Sequence, residues 1–275
     1  MRIFTRFMLV ALSGLTSVVL IPQARGQEAE RAMSCDENWQ SDRASHCEIN
    51  ETTLAAVPRL SVDSGVNGGM TVKGWQKNEI LVRARVQTSA ESDGRARDVA
   101  RQVIIHTGGG RVMADGPRNE GRDSWSVSYE VFVPQKIDLT LKAHNGGIRI
   151  ADVSGQMEFE TTNGGVSLQR LAGNVHGHTT NGGLSVELAG SRWEGSQLDT
   201  STTNGGVSMS VPANYSARLE TGTVNGHIRV DFPVTVSGQI DRQLSINLGS
   251  GGSLVRATTT NGGVSILRKV SGARF

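Results

Sequence analysis

Between His144 and Ser265 the chain alternates apolar and polar residues with a period of two, in short runs that recur. Met157, Phe159 and Thr161 form one such run; Val175, Gly177 and Thr179, then Leu198, Thr200 and Thr202, then Val255, Ala257 and Thr259 form others. Each is followed by a second run: Val166 and Leu168; Leu184, Val186 and Leu188; Val207, Met209 and Val211; Val264 and Ile266. Strict alternation over four to eight residues is the pattern of a strand with one face buried. The array therefore predicts many short strands, each burying the side chains at every second position.

Between the paired runs stands a recurring corner. Asn145, Asn163, Asn181, Asn204 and Asn261 each begin an Asn-Gly-Gly, Asn225 begins a degenerate Asn-Gly-His, and Asn67 opens an outlying copy upstream. Successive asparagines from Asn145 to Asn261 are 18, 18, 23, 21 and 36 residues apart. Asn and Gly tolerate positive φ, so the motif suits a tight bend that other residues resist. A unit of strand, corner and strand cannot bury its own apolar face, and stacked units build a continuous core. The expected fold is all-β, a parallel β-helix or β-solenoid with rungs of about 18 residues. An antiparallel meander is the alternative, because Asn-Gly also favours two-residue hairpins. Repeated corners favour the solenoid, where Asn stacks on Asn and the inward Thr161, Thr179, Thr202, Thr223 and Thr259 bond to corner backbone. The spacing of 36 from Asn225 to Asn261 is read as an insertion that adds strands over 233–240 and 244–248.

Upstream, long alternating strands over 80–86 and 125–133 flank one short helix between Ser89 and Arg101, capped by Ser89 or Ser92 with Ala96, Val99 and Ala100 inward. This β-rich region is expected to cap the first rung, since solenoid ends must be shielded. The expected organisation is a signal peptide over 1–26, a disulfide-clipped segment over 27–54, the capping region over 55–137 and the repeat region over 138–275. Arg2 and Arg6, an apolar stretch from Phe7 to Ile21, and Ala24-Arg25-Gly26 are the signal-peptide pattern. The apolar stretch is short for a membrane span, so none is expected once the signal is cleaved. Cys35 and Cys47, an even pair in an exported chain, are expected to form a disulfide.

Charge changes little. The whole chain carries 28 basic and 26 acidic residues; residues 1–26 hold three arginines and no acid, so cleavage takes the formal charge from +2 to −1. A nucleic-acid-binding role loses its electrostatic basis. No G-x-S-x-G, H-E-x-x-H, P-loop or dinucleotide-binding glycine pattern occurs, and no cofactor or metal is expected.

Aligning the strands on their asparagines places outward residues in two columns: Thr140, Glu158, His176 and Asp199, and beside them Lys142, Glu160, His178 and Ser201. Glu158, Glu160, His176, His178 and Asp199 are the candidate binding residues, for a divalent metal or a polar polymer such as a glycan. Pairing of opposite charges on a solvated face is the alternative reading. Trp193, in the lengthened turn Ser191–Gly195, is a further candidate for stacking on a sugar, or else a plug at the edge of a rung. Trp75, Trp125, Tyr129 and Tyr215 are the other candidates for carbohydrate stacking.

The segments Thr162-Asn163-Gly164-Gly165-Val166, Thr180-Asn181-Gly182-Gly183-Leu184, Thr203-Asn204-Gly205-Gly206-Val207 and Thr260-Asn261-Gly262-Gly263-Val264 resemble a bacterial, exported family of unknown function labelled "putative adhesin". The resemblance spans about residues 55–270 and implies a β-solenoid or sandwich-like fold, with no catalytic residue to carry over. The sequence thus points to an exported, non-enzymatic binding or scaffold protein of the periplasm or cell surface, with an envelope glycan or protein as partner. The competing classes are a lyase-like β-helix enzyme acting on polysaccharide, by fold analogy alone, and an envelope-stress scaffold.

Overall fold

Strand-forming alternation becomes two ten-stranded sheets in the computed structural model, which describes residues 33–35, 43–233 and 242–269. The signal-peptide expectation over 1–26 and residues 234–240 of the strand expected over 233–240 lie outside the described residues. In every unit the strand before the asparagine enters one sheet and the strand after it enters the other. These are called the pre-corner and post-corner sheets.

Within each sheet, neighbouring units run parallel and in register. Ser154–Asn163 lies beside Ala172–Asn181 with Met157 opposite Val175 and Asn163 opposite Asn181, and Val166–Gln169 lies beside Leu184–Glu187 in the same way. The antiparallel hairpin meander is therefore not formed. A shift of one residue would turn every apolar side chain to solvent, so the alternation itself fixes the register. Leu139, Met157, Val175, Leu198 and Val255 from the pre-corner sheet meet Ile148, Val166, Leu184, Val207 and Val264 from the post-corner sheet in one buried core.

Two devices tie layer to layer at the corner. Asparagine side chains form a hydrogen-bonded ladder: the Nδ2 of Asn163, Asn181 and Asn204 each donates to the Oδ1 of the preceding asparagine at 2.8 Å. The buried Thr161, Thr179 and Thr202 donate to the carbonyls of Gly146, Gly164 and Gly182, at 2.8, 2.8 and 2.7 Å. The inward threonines thus satisfy carbonyls that the bend turns away from the sheet.

Positive φ is not what most corners require of glycine. Of the corner glycines only Gly68 (+146°) and Gly262 (+159°) have it. The requirement is proximity: a Cβ on Gly164 would sit 2.1 Å from the carbonyl oxygen of Gly146, and one on Gly182 2.1 Å from that of Gly164. Left-handed backbone occurs instead at the opposite bend, where Asp152 (59°) and Arg170 (51°) are joined by a bidentate ion pair with both contacts at 2.6 Å.

Spatial order departs from chain order at the far end. Leu254–Asn261 pairs with Gln197–Asn204 on one side and with Ala217–Asn225 on the other. Asn261 accordingly donates to Asn204, and Asn225 donates to Asn261, each at 2.7 Å. The wide interval between Asn225 and Asn261 is thus not an insertion within a sequential stack. The last unit in sequence is placed between two earlier ones, and Gln243–Leu248 closes the pre-corner sheet antiparallel to Ala217–Asn225.

The upstream copy is a full member of the stack, since Asn145 donates to Asn67 at 3.0 Å and Arg59–Asp63 pairs with Asp138–Asn145. Beyond it Ser124–Pro134, Glu79–Ala90 and Ala44–Ala55 continue the post-corner sheet, the last two antiparallel to their inner neighbours. Helix Asp93–Arg101 is capped by Ser92, whose hydroxyl accepts from the Arg95 amide, and buries Ala96, Val99 and Ala100. Ser89 belongs to the preceding strand. Cys35 and Cys47 form a disulfide with Cα atoms 5.8 Å apart.

Thr179→Val keeps shape but leaves the Gly164 carbonyl without its donor. An unmade buried hydrogen bond costs about 1–3 kcal/mol, so urea denaturation should show a stability loss in that range. An unchanged midpoint would deny the inward threonines this role.

Candidate functional site

The exposed face of the pre-corner sheet carries the polar columns. Register places Thr140, Glu158, His176, Asp199, Arg256 and Glu220 side by side in one row. Lys142, Glu160, His178, Ser201 and Thr258 form the next, ending at Gly222. Adjacent strands are about 4.8 Å apart, so neighbouring residues of each row stand at strand spacing. All five charged and imidazole candidates are brought together here.

Local chemistry divides the face in two. Toward the later units Asp199 accepts from Arg256 Nε at 2.8 Å and also from its NH2 group, and Arg256 reaches Glu220 at 3.8 Å. Arg218 pairs with Glu220 in turn. The Arg256 guanidinium holds the Asp199 carboxyl below the usual carboxylate range, with a smaller contribution from His176. Toward the earlier units Glu158 and Glu160 have no side-chain hydrogen bond or ion pair among the described residues, and they line a shallow cavity of about 320 Å³ with His176 and His178.

His178 joins the halves. Its Nδ1 lies 3.0 Å from the Ser201 hydroxyl and its Nε2 3.3 Å from that of Thr203, and it also borders a groove of about 790 Å³ between Ser201 and Ser245. His176 is 68% exposed and stands 3.9 Å from Asp199.

These contacts disfavour the metal reading. Among the described residues no three His, Cys, Asp or Glu side chains are placed to hold an ion. Asp199 is committed to an arginine, and both nitrogens of His178 are already within hydrogen-bond reach of hydroxyls.

Trp193 is not part of a surface site. It is 5% exposed, within the core, and its indole N–H donates to the Gly173 carbonyl at 3.0 Å. The lengthened turn therefore plugs the stack, because a large ring gains more by filling an interior gap than by remaining in water. Tyr129 and Tyr215 are buried too, and burial pushes both phenols above their ordinary range. Trp125 donates to the Pro117 carbonyl at 2.7 Å. Trp75 packs on Phe132 (5.4 Å) on the other sheet, away from the polar rows.

Arg256 and Glu220 are the members that sequence reading missed. Counting back from Asn261 and Asn225 gives their columns, but chain order hides that the Asn261 unit adjoins Asn204.

Asp199 has a lowered folded pKa, so its pairing adds stability above the unfolded carboxylate value of about 3.9 and loses it as pH falls through the folded value. Arg256→Gln should raise the Asp199 titration midpoint, followed by carboxyl NMR, and remove stability at neutral pH while changing little at pH values where Asp199 is protonated in both states. An unmoved midpoint would exclude Arg256 as the cause.

Solved structures give distant likenesses. One, titled a "putative cell adhesion protein" from Clostridium sporogenes, is 12% identical, covers 81% of this chain and 100% of its own, and gives a TM-score of 0.42. A "putative adhesin" from Bacteroides fragilis is 7% identical over 82% of this chain and 97% of its own, at a TM-score of 0.33. Another from Parabacteroides merdae is 7% identical over 82% and 96%, at 0.31. No curated protein matches. Residues 49–267 match the family described as Toastrack DUF4097, and the chain belongs to that family.

Proposed function

We propose that the protein is an exported, non-enzymatic binding protein, adhesin-like, that holds an extended hydroxyl-rich polymer such as an envelope glycan along the exposed face of its pre-corner sheet. The supporting observation is the pair of polar rows crossing successive layers in register, from Thr140 to Glu220 and from Lys142 to Thr258. A polymer lying across the strands meets a polar side chain of one row or the other at every layer, though of differing chemistry, and many weak contacts add through multivalency. Arg218, Glu220, Arg256 and Asp199 largely neutralise one another, while Glu158 and Glu160 stay open. This balance favours neutral or amine-bearing sugars over polyanions.

The finer architecture belongs to the same proposal: a β-solenoid of Asn-Gly-Gly rungs of about 18 residues over 138–275, with the region 55–137 supplying a further rung at Asn67 and the strands and helix that cap it, behind a cleaved signal at 1–26. The Cys35–Cys47 disulfide supports a periplasmic or extracellular location, where such bonds persist. No helix among the described residues is long and apolar enough to cross a membrane. An ionised, arginine-bound Asp199 is poorly suited to general-acid work, which supports the non-enzymatic reading.

The mature chain from residue 27 should be retained on arrays of neutral and amino-sugar glycans, and His176→Ala with His178→Ala should weaken retention about tenfold, roughly 1.4 kcal/mol. Equal retention of the folded double variant would remove this face from the function.

A further inference from the structure

Seven Asn-Gly pairs stand at the corners: those beginning at Asn67, Asn145, Asn163, Asn181, Asn204, Asn225 and Asn261. Asn-Gly is chemically labile in a flexible chain. The glycine amide nitrogen, unhindered by a neighbouring side chain, reaches the asparagine Cγ and displaces ammonia. Stacking suppresses this in most layers. The amides of Gly68, Gly164, Gly182, Gly205 and Gly262 each donate to the asparagine carbonyl of the adjoining layer, at 3.0 to 3.2 Å. The remaining internal pair, Asn145-Gly146, has its side chain held from both sides: it donates to Asn67 at 3.0 Å and accepts from Asn163 at 2.8 Å.

Asn225-Gly226 has neither restraint. Asn225 terminates the ladder, donating to Asn261 at 2.7 Å while its own Oδ1 accepts no hydrogen bond among the described residues. The Gly226 amide likewise has no acceptor among them, because no further corner is stacked beyond it. Its layer is also thinly held: the strand after the corner, Ile228–Val230, has three residues and is the edge of its sheet.

We propose that Asn225 is a spontaneous deamidation site set by its place at the open end of the asparagine ladder. Loss of the Gly226 amide proton to base frees the nitrogen pair to attack Cγ of Asn225. The N–Cγ bond forms, the Cγ–Nδ2 bond breaks, and Nδ2 leaves as ammonia, closing a succinimide between residues 225 and 226. Water then opens either imide carbonyl, giving aspartate or isoaspartate; the net change is one water consumed and one ammonia released, with no redox partner. The new carboxylate cannot donate to Asn261 Oδ1, so conversion removes the side-chain link that ties the terminal layer to its neighbour. The isoaspartate form also lengthens the backbone between Ala217–Asn225 and Ile228–Val230.

Val224 precedes Asn225, and β-branched bulk there slows ring closure relative to a small residue. Sequence alone therefore gives this pair no advantage, and a faster reaction reports on the fold.

The test is peptide mapping by mass spectrometry of the full mature chain after incubation at mildly alkaline pH, folded and in denaturant. In the folded protein, aspartate plus isoaspartate at 225 should accumulate at least about tenfold faster than at the other six sites. In denaturant that advantage should vanish. Equal rates at all seven sites in the folded chain, or an internal corner converting first, would overturn the proposal. So would an advantage at 225 that survives unfolding, since local sequence would then be its cause.

Discussion

Closeness of backbone to backbone at the corners is the constraint on which the structure depends. At Gly164, Gly182 and Gly205 a Cβ would lie 2.1 Å from a carbonyl oxygen of the layer below. No side chain fits, so the corner must be glycine whatever its φ. Once the backbones are that close, the asparagine amides fall into hydrogen-bond range from layer to layer, and the threonine hydroxyls reach the carbonyls that the bend displaces. The strands are then delivered to both sheets in register, and alternation does the rest by burying one face in each.

The same constraint governs the exposed face. Outward side chains stack because inward ones do, so the rows containing Glu158, His176 and Asp199, or Glu160, His178 and Ser201, are a by-product of corner geometry. Their chemistry is set residue by residue. Pairing with Arg256 consumes Asp199, hydroxyl neighbours occupy His178, and Glu158 and Glu160 remain open to solvent. Gly177 shows how tightly the two faces are linked: a Cβ there would meet the Phe159 ring at 2.4 Å, so the aromatic of one layer fills the space its neighbour leaves.

Alternation and motif spacing made the parallel layers, the inward threonines, the short helix capped by Ser89 or Ser92 and the two polar columns legible, because each is a local or strictly periodic property. Trp193 was ambiguous for a physical reason: an indole in a lengthened turn has the same composition whether it faces water or fills a gap. The order of the last layers was illegible because equivalent corners are interchangeable. By its corner motif alone the Asn261 unit fits beyond Asn225 or between Asn204 and Asn225 equally well, so the choice rests on contacts between units that are distant in sequence.

That choice makes the later half of the polar face a non-local assembly. Asp199 comes from one layer, Arg256 from a segment more than fifty residues later, and Glu220 from the chain between them. Placing Leu254–Asn261 centrally puts a guanidinium between two carboxylates. Strict chain order would set Glu220 directly beside Asp199, and like charges opposite one another on neighbouring strands repel. The inserted layer thus relieves a charge conflict that a sequential stack would create, and it offers a physical reason for the stack to take its C-terminal unit inward.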